Sequence, residues 1–174
     1  MMREELLHPA ASHFPIALLV LLMFTKTAQF FVTEKYSELK KNLQVISKFL
    51  LVTGTCFLLP AIFLGDMALD IVKNHLCEIT AAYEHEEYAK ITLIIFIIAI
   101  VLDTLPLVPQ VPTKLKRPLN VALLMTIFIG NFYLFETAEH GAELVYEQGA
   151  GVKGHIPRCD NSPISTERLL DQSI

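Results

Sequence analysis

Six histidines are the side chains of this 174-residue chain best suited to chemistry. His8 and His13 stand in "LLHPAASHFPIALLVLL", at the mouth of a strongly apolar run. His85 lies in "AAYEHEEYAK", ahead of another such run, and His140 in "FETAEHGAELVYEQGAGV", behind the last one. Imidazole is the commonest protein metal ligand, and ionisable groups at membrane depth are functional candidates by default. Five helical residues turn roughly 140° and rise about 7.5 Å. His8 and His13 therefore cannot chelate one ion side by side: they serve different centres, or one is a bystander. His75 in "KNHLCE" suits a helix C-terminus, where it complements the dipole. His155 falls in a polar tail.

The elements that must position these imidazoles are membrane helices. The chain is 53% hydrophobic with mean hydropathy +0.48. The excess is gathered in four blocks, Phe14–Val32, Phe49–Gly65, Ile91–Pro109 and Leu119–Phe135. Each comes near the ~20 residues that cross a hydrocarbon core. We expect helices at about 9–32, 43–73, 82–105 and 116–147, in one transmembrane domain over 1–152. A polar tail, 153–174, follows. The expected class is an all-α integral membrane four-helix bundle with up-down-up-down topology. "MMREE" holds one Arg and two Glu, so the first block reads as a retained helix and not a cleaved leader. No internal repeat stands out.

Alternating crossings place eight Lys and Arg against three Asp and Glu on one side, and six against fifteen on the other. Lys/Arg counts decide orientation. Both termini are then expected outside, in the periplasm of a bacterial inner membrane. All six histidines fall on that acidic side, which would attract a basic soluble partner.

In a square bundle the first and third helices are diagonal. His13 with His85 is then the natural axial pair for a haem, and His140 with His8 or His75 would make a second centre. Gly65 and Gly130 would let a flat macrocycle approach the backbone. Asp66, Glu136 and Glu139 would orient ring N–H groups. No C-x-x-C-H is present for a covalent haem. The Glu-x-x-His pattern of ferritin-like di-iron sites is also absent. "GAGVKG" lacks the strand–helix context of a phosphate loop. Of the three cysteines, Cys56 reads as a buried small hydrophobe. Cys77 and Cys159 share the outer, oxidising side and could pair.

"HPAASHFPIALL", Thr53–Gly54, Gly65–Asp66, the third-helix histidine and "HGAELVYEQGAGV" together resemble a family of small four-helix bacterial membrane proteins. It is catalogued as a domain of unknown function, with hallmarks HP-x3-HFP and GG-x-LVY-x2-G-x-GV. The resemblance covers about residues 7–152. It implies b-type haem, with His8, His13, His85 and His140 as ligand positions. The chain departs from the pattern at Ala142 and at Met67. The expectation is a membrane-bound b-type cytochrome subunit holding haem b, one or two. It would exchange electrons with a periplasmic cytochrome, respiratory complex subunits or the quinone pool. It reads as an electron-transfer subunit and not an enzyme, since no nucleophile–base pair is evident. Two alternatives stay open: a copper or zinc site, and a cofactor-free accessory subunit. The expected partners are membrane lipid and other membrane or periplasmic proteins, a second copy among them, not nucleic acid.

Overall fold

The computed structural model describes residues 6–152, the side chain of His75 excepted. Four helices account for nearly all of it: α1 (Leu7–Phe31), α2 (Ser37–Val72), α3 (Ile79–Thr104) and α4 (Thr113–Tyr146). Each holds a window long and apolar enough to cross a membrane. α2 begins six residues ahead of the apolar pattern, at Ser37. The polar turn "SELKKN" is made mostly of good helix formers, and Glu38 in the first turn complements the helix dipole. Short 3₁₀ turns, Glu34–Tyr36, Lys73–His75 and Leu105–Leu107, tighten the connections. α4 ends where Gly149 and Gly151 take φ of 69° and 71°, a left-handed conformation that glycine adopts without steric cost. This is what the glycines of "QGAGV" do. The following chain is anchored by Gln148, whose Oε1 accepts the Glu78 amide at 3.0 Å.

α1 packs on α2 and α3 on α4; the two hairpins meet where α2 touches α3 and α1 touches α4. α1 and α3 therefore face each other across the diagonal. The interior is filled by Leu19, Leu22, Leu51, Phe96, Ala99, Leu123 and Ile127. The outside carries Phe24, Phe49, Ile94 and Phe132 uncovered, far more apolar surface than water tolerates and what lipid requires. Cys56 is on this exposed surface rather than buried. Cys77 is disulfide-bonded; Cys159, its expected partner, lies outside the described residues.

The two hairpins are copies of one plan, contrary to the expectation of no repeat. Residues 8, 19 and 26 of α1 are matched by 85, 96 and 103 of α3, an offset of 77. Residues 54 and 65 of α2 are matched by 130 and 141 of α4, an offset of 76. The buried positions follow the same offsets: Pro15 and Thr92, Leu19 and Phe96, Leu22 and Ala99; Ser47 and Leu123, Leu51 and Ile127, Leu58 and Leu134. Parallel repeats of this kind are related by an axis along the membrane normal. The duplication is hard to read in the sequence because lipid-facing positions need only be apolar.

Halfway down, each hairpin closes over a glycine. A Cβ at Gly54 would lie 2.7 Å from Leu19 Cδ2, and one at Gly130 would lie 2.9 Å from Phe96 Cζ. Asn131, next to Gly130, donates to Ile127 O at 2.9 Å and across to Leu19 O at 3.3 Å. Gly130 therefore serves close helix packing and leaves no room for a macrocycle. Gly130→Ala should cost about 1–3 kcal/mol as an overpacking change. Phe96→Leu in the same chain should recover most of it, read by thermal unfolding in detergent. Equal losses in the single and double variants would refute this packing account.

Candidate functional site

The histidine end of the bundle is built from one half-site used twice. At the start of α1, His8 Nδ1 donates to the carbonyl of Ala61 on α2 at 2.9 Å. Near the start of α3, His85 Nδ1 donates to the carbonyl of Thr137 on α4 at 2.8 Å. A carbonyl only accepts, so both rings carry their proton on Nδ1. Ring geometry turns each Nε2 away from that carbonyl. One turn further along each receiving helix is a glycine. A Cβ at Gly65 would lie 3.1 Å from His8 Cε1, and one at Gly141 would lie 2.9 Å from His85 Cε1. The space that Gly65 leaves is occupied by imidazole, which corrects the expectation that it admits a macrocycle. The two rings meet across the diagonal with centroids 5.8 Å apart and planes at 84°.

The diagonal pair is thus His8 with His85, not His13 with His85. His13 is exposed and its ring nitrogen bonds back to Pro9 O of its own helix. The roughly 140° between positions 8 and 13 puts only one of them on the inner face, and the half-site selects His8. His140 does not join His8 in a second centre: its ring packs edge-on against Tyr88 at 4.9 Å, and its Nδ1 is 3.9 Å from Glu143. Tyr88 also lies against Tyr133 at 6.0 Å. The carboxylates expected to orient the rings do not: the carbonyls of Ala61 and Thr137 take that role, while Asp66 and Glu139 are exposed and Glu136 is half-buried. The side chain of His75, and all of His155, lie outside the described residues. Among the described residues no group of three or more His, Cys, Asp or Glu converges on a metal position. Sequence reasoning missed the receiving carbonyls, which have no residue signature. The signal that could have found the pair is the matched eleven-residue glycine spacing, 54 to 65 and 130 to 141.

Eighteen residues beyond each histidine, at about 27 Å by helical rise, stands the second diagonal pair. Lys26 Nζ lies 3.5 Å from Asp103 Oδ1, with side chains only 7% and 14% exposed. The repeat places them at equivalent positions, so one site on the axis marks each end of the hydrocarbon span. Ser47, buried on α2, reaches Thr25 at 3.3 Å beside them.

Fold and site together define an integral membrane protein of two repeated α-hairpins, with an imidazole pair on the diagonal at one end. Residues 5–154 match the family described as predicted membrane protein, DUF2231, and the chain belongs to that family. No curated protein and no solved structure matches the chain.

Proposed function

We propose that the protein is a haem-binding electron-transfer subunit of the membrane, with His8 and His85 as the two axial ligands of one haem b. The observation that carries this reading is the pair of imidazoles whose Nδ1 protons are both committed to backbone carbonyls. Metal-ligating histidines are held in this way, with the other nitrogen left free for the metal. An ion bound by both Nε2 atoms at roughly 2.0–2.1 Å, the usual imidazole–metal distance, sets the ring centres about 6.4 Å apart when the three atoms are in line. The 5.8 Å observed is about 0.6 Å short of that span, so the two rings would part slightly to take the ion. Zinc sites take three or four protein ligands, whereas a haem iron needs only the two axial ones. The donor set therefore favours haem over the copper or zinc alternative. A single pair favours one haem over two.

Haem would supply a reversible one-electron couple. The chain's own residues hold the Nδ1 protons at Ala61 and Thr137. Further down, Leu19, Leu22 and Phe96, each no more than 1% exposed, fill the bundle interior with apolar side chains. The histidine end carries Asp66, Glu84, Glu87 and Glu139, all exposed, an acidic surface suited to a basic redox partner. The Lys- and Arg-rich end carries Lys41, Lys114, Lys116 and Arg117 exposed. The positive-inside rule supports a reading in which that end faces the cytoplasm and the histidines lie at the periplasmic face of the inner membrane. Electrons then exchange at that face, since the opposite end lies about 27 Å away by helical rise.

The test is a dithionite-reduced minus oxidised spectrum of detergent-purified protein, expressed with ample haem, followed by a pyridine haemochrome assay. Sharp low-spin b-type bands at one haem per chain are expected. A featureless spectrum from folded protein would overturn the reading.

A further inference from the structure

We propose that Ala61 with Gly65, and Thr137 with Gly141, are positioning residues whose task is to hold the two imidazole planes crossed. The inference rests on the haem reading above, and its test separates the two. Two independent restraints act on each ring. The Nδ1–H bond to the carbonyl of residue 61 or 137 fixes where the ring points. The glycine four residues later fixes how the ring is rotated, because the ring edge lies where a Cβ would otherwise stand: 3.1 Å for Cε1 of His8 and 2.9 Å for Cε1 of His85. The carbonyl and the glycine are also i and i+4 partners of the same helix turn. Imidazole and helix amide thus share one oxygen.

The repeat makes the angle a property of the fold. Each cradle sets its ring at one angle to its own hairpin, and the axis that relates the hairpins then crosses the two planes at 84°. A sequence-level reading could not anticipate this, because neither Ala61 nor Thr137 contributes through its side chain. The crossing has an electronic consequence. Two parallel imidazoles donate π density into the same iron d orbital and split it from its partner. Two perpendicular imidazoles each address a different one, leaving the pair nearly degenerate. The oxidised low-spin centre should then show a single ramp-shaped electron paramagnetic resonance signal at large g, not three resolved rhombic lines.

The experiment is low-temperature electron paramagnetic resonance of the oxidised full-length protein loaded with haem, beside its visible spectrum. The ramp-shaped signal is expected for the native chain. Gly141→Ala forces His85 to rotate, and Gly65→Ala does the same more mildly to His8. Each should move the signal toward rhombic lines while the low-spin visible bands persist. Gly65→Ala keeps the test decisive if Gly141→Ala does not fold. Replacement of His13, which touches neither cradle, should leave the signal unchanged. A native protein that binds haem and gives rhombic lines overturns the crossed-plane proposal and leaves the haem reading intact. So does a ramp-shaped signal indifferent to both glycine substitutions. A protein that binds no haem overturns both.

Discussion

His85→Ala, and equally His8→Ala, is expected to abolish the low-spin haem spectrum while leaving the protein folded. The reasoning separates ligation from structure. The carbonyl that each imidazole bonds lies inside its helix and already accepts the amide of the glycine four residues on. Removing the ring therefore strands no buried acceptor. The loss in stability should be that of one hydrogen bond, about 0.5–1.5 kcal/mol, plus a small cavity. The spectroscopic loss should be complete, because two axial nitrogens are needed and, among the described residues, the nearby His140 is turned to Tyr88 and Glu143. Free imidazole added to His85→Ala should restore low-spin bands by entering the vacated space. His13→Ala should change nothing, since its ring bonds its own helix. His140→Ala should shift the bands at most, because its ring packs on Tyr88 and its Nδ1 faces Glu143. A His85→Ala protein with an unaltered low-spin spectrum would refute the assignment. One that fails to fold would instead make the pair structural, an edge-to-face aromatic contact and no more.

At the opposite end, Lys26→Met should destabilise the bundle by about 3–5 kcal/mol, the usual consequence of leaving a buried charge without its partner. Asp103 is then stranded 14% exposed at the edge of a hydrocarbon span. Exchange of the two residues, Lys26→Asp with Asp103→Lys, should recover most of that loss, because the repeat makes the two positions equivalent. Replacement of both by Met and Leu should be neutral, or stabilise by about 1–4 kcal/mol. Thermal unfolding in detergent distinguishes the cases. Recovery in the exchanged protein would identify the pair as a device that registers α1 against α3. Failure of the exchange would show instead that each side chain is fitted to its own hairpin.

Length and apolar blocks were enough to read four crossings, because solubility in hydrocarbon is a property of composition along a line. The helices end at Phe31, Val72, Thr104 and Tyr146, where turn residues stop them locally. The early start of α2 escaped it, because the turn "SELKKN" is helical without being apolar. His8, His85 and Gly65 stand out in the sequence as residue types, yet their arrangement is set by packing. Gly65 makes room for an imidazole and not for a macrocycle. In the sequence His13 adjoins the apolar block, whereas helix rotation puts His8 on the inner face of α1.

What the sequence determined by itself was a one-dimensional property: which stretches enter the membrane, and that imidazole gathers at one end of them. What only the tertiary structure decided was partnership across the diagonal. His8 finds His85 and Lys26 finds Asp103 because two hairpins repeat one packing plan about an axis. The imidazoles are oriented by backbone carbonyls that every residue carries. No residue type marks a carbonyl as the one that will be used, so that choice emerges only when α2 and α4 are packed in register against α1 and α3.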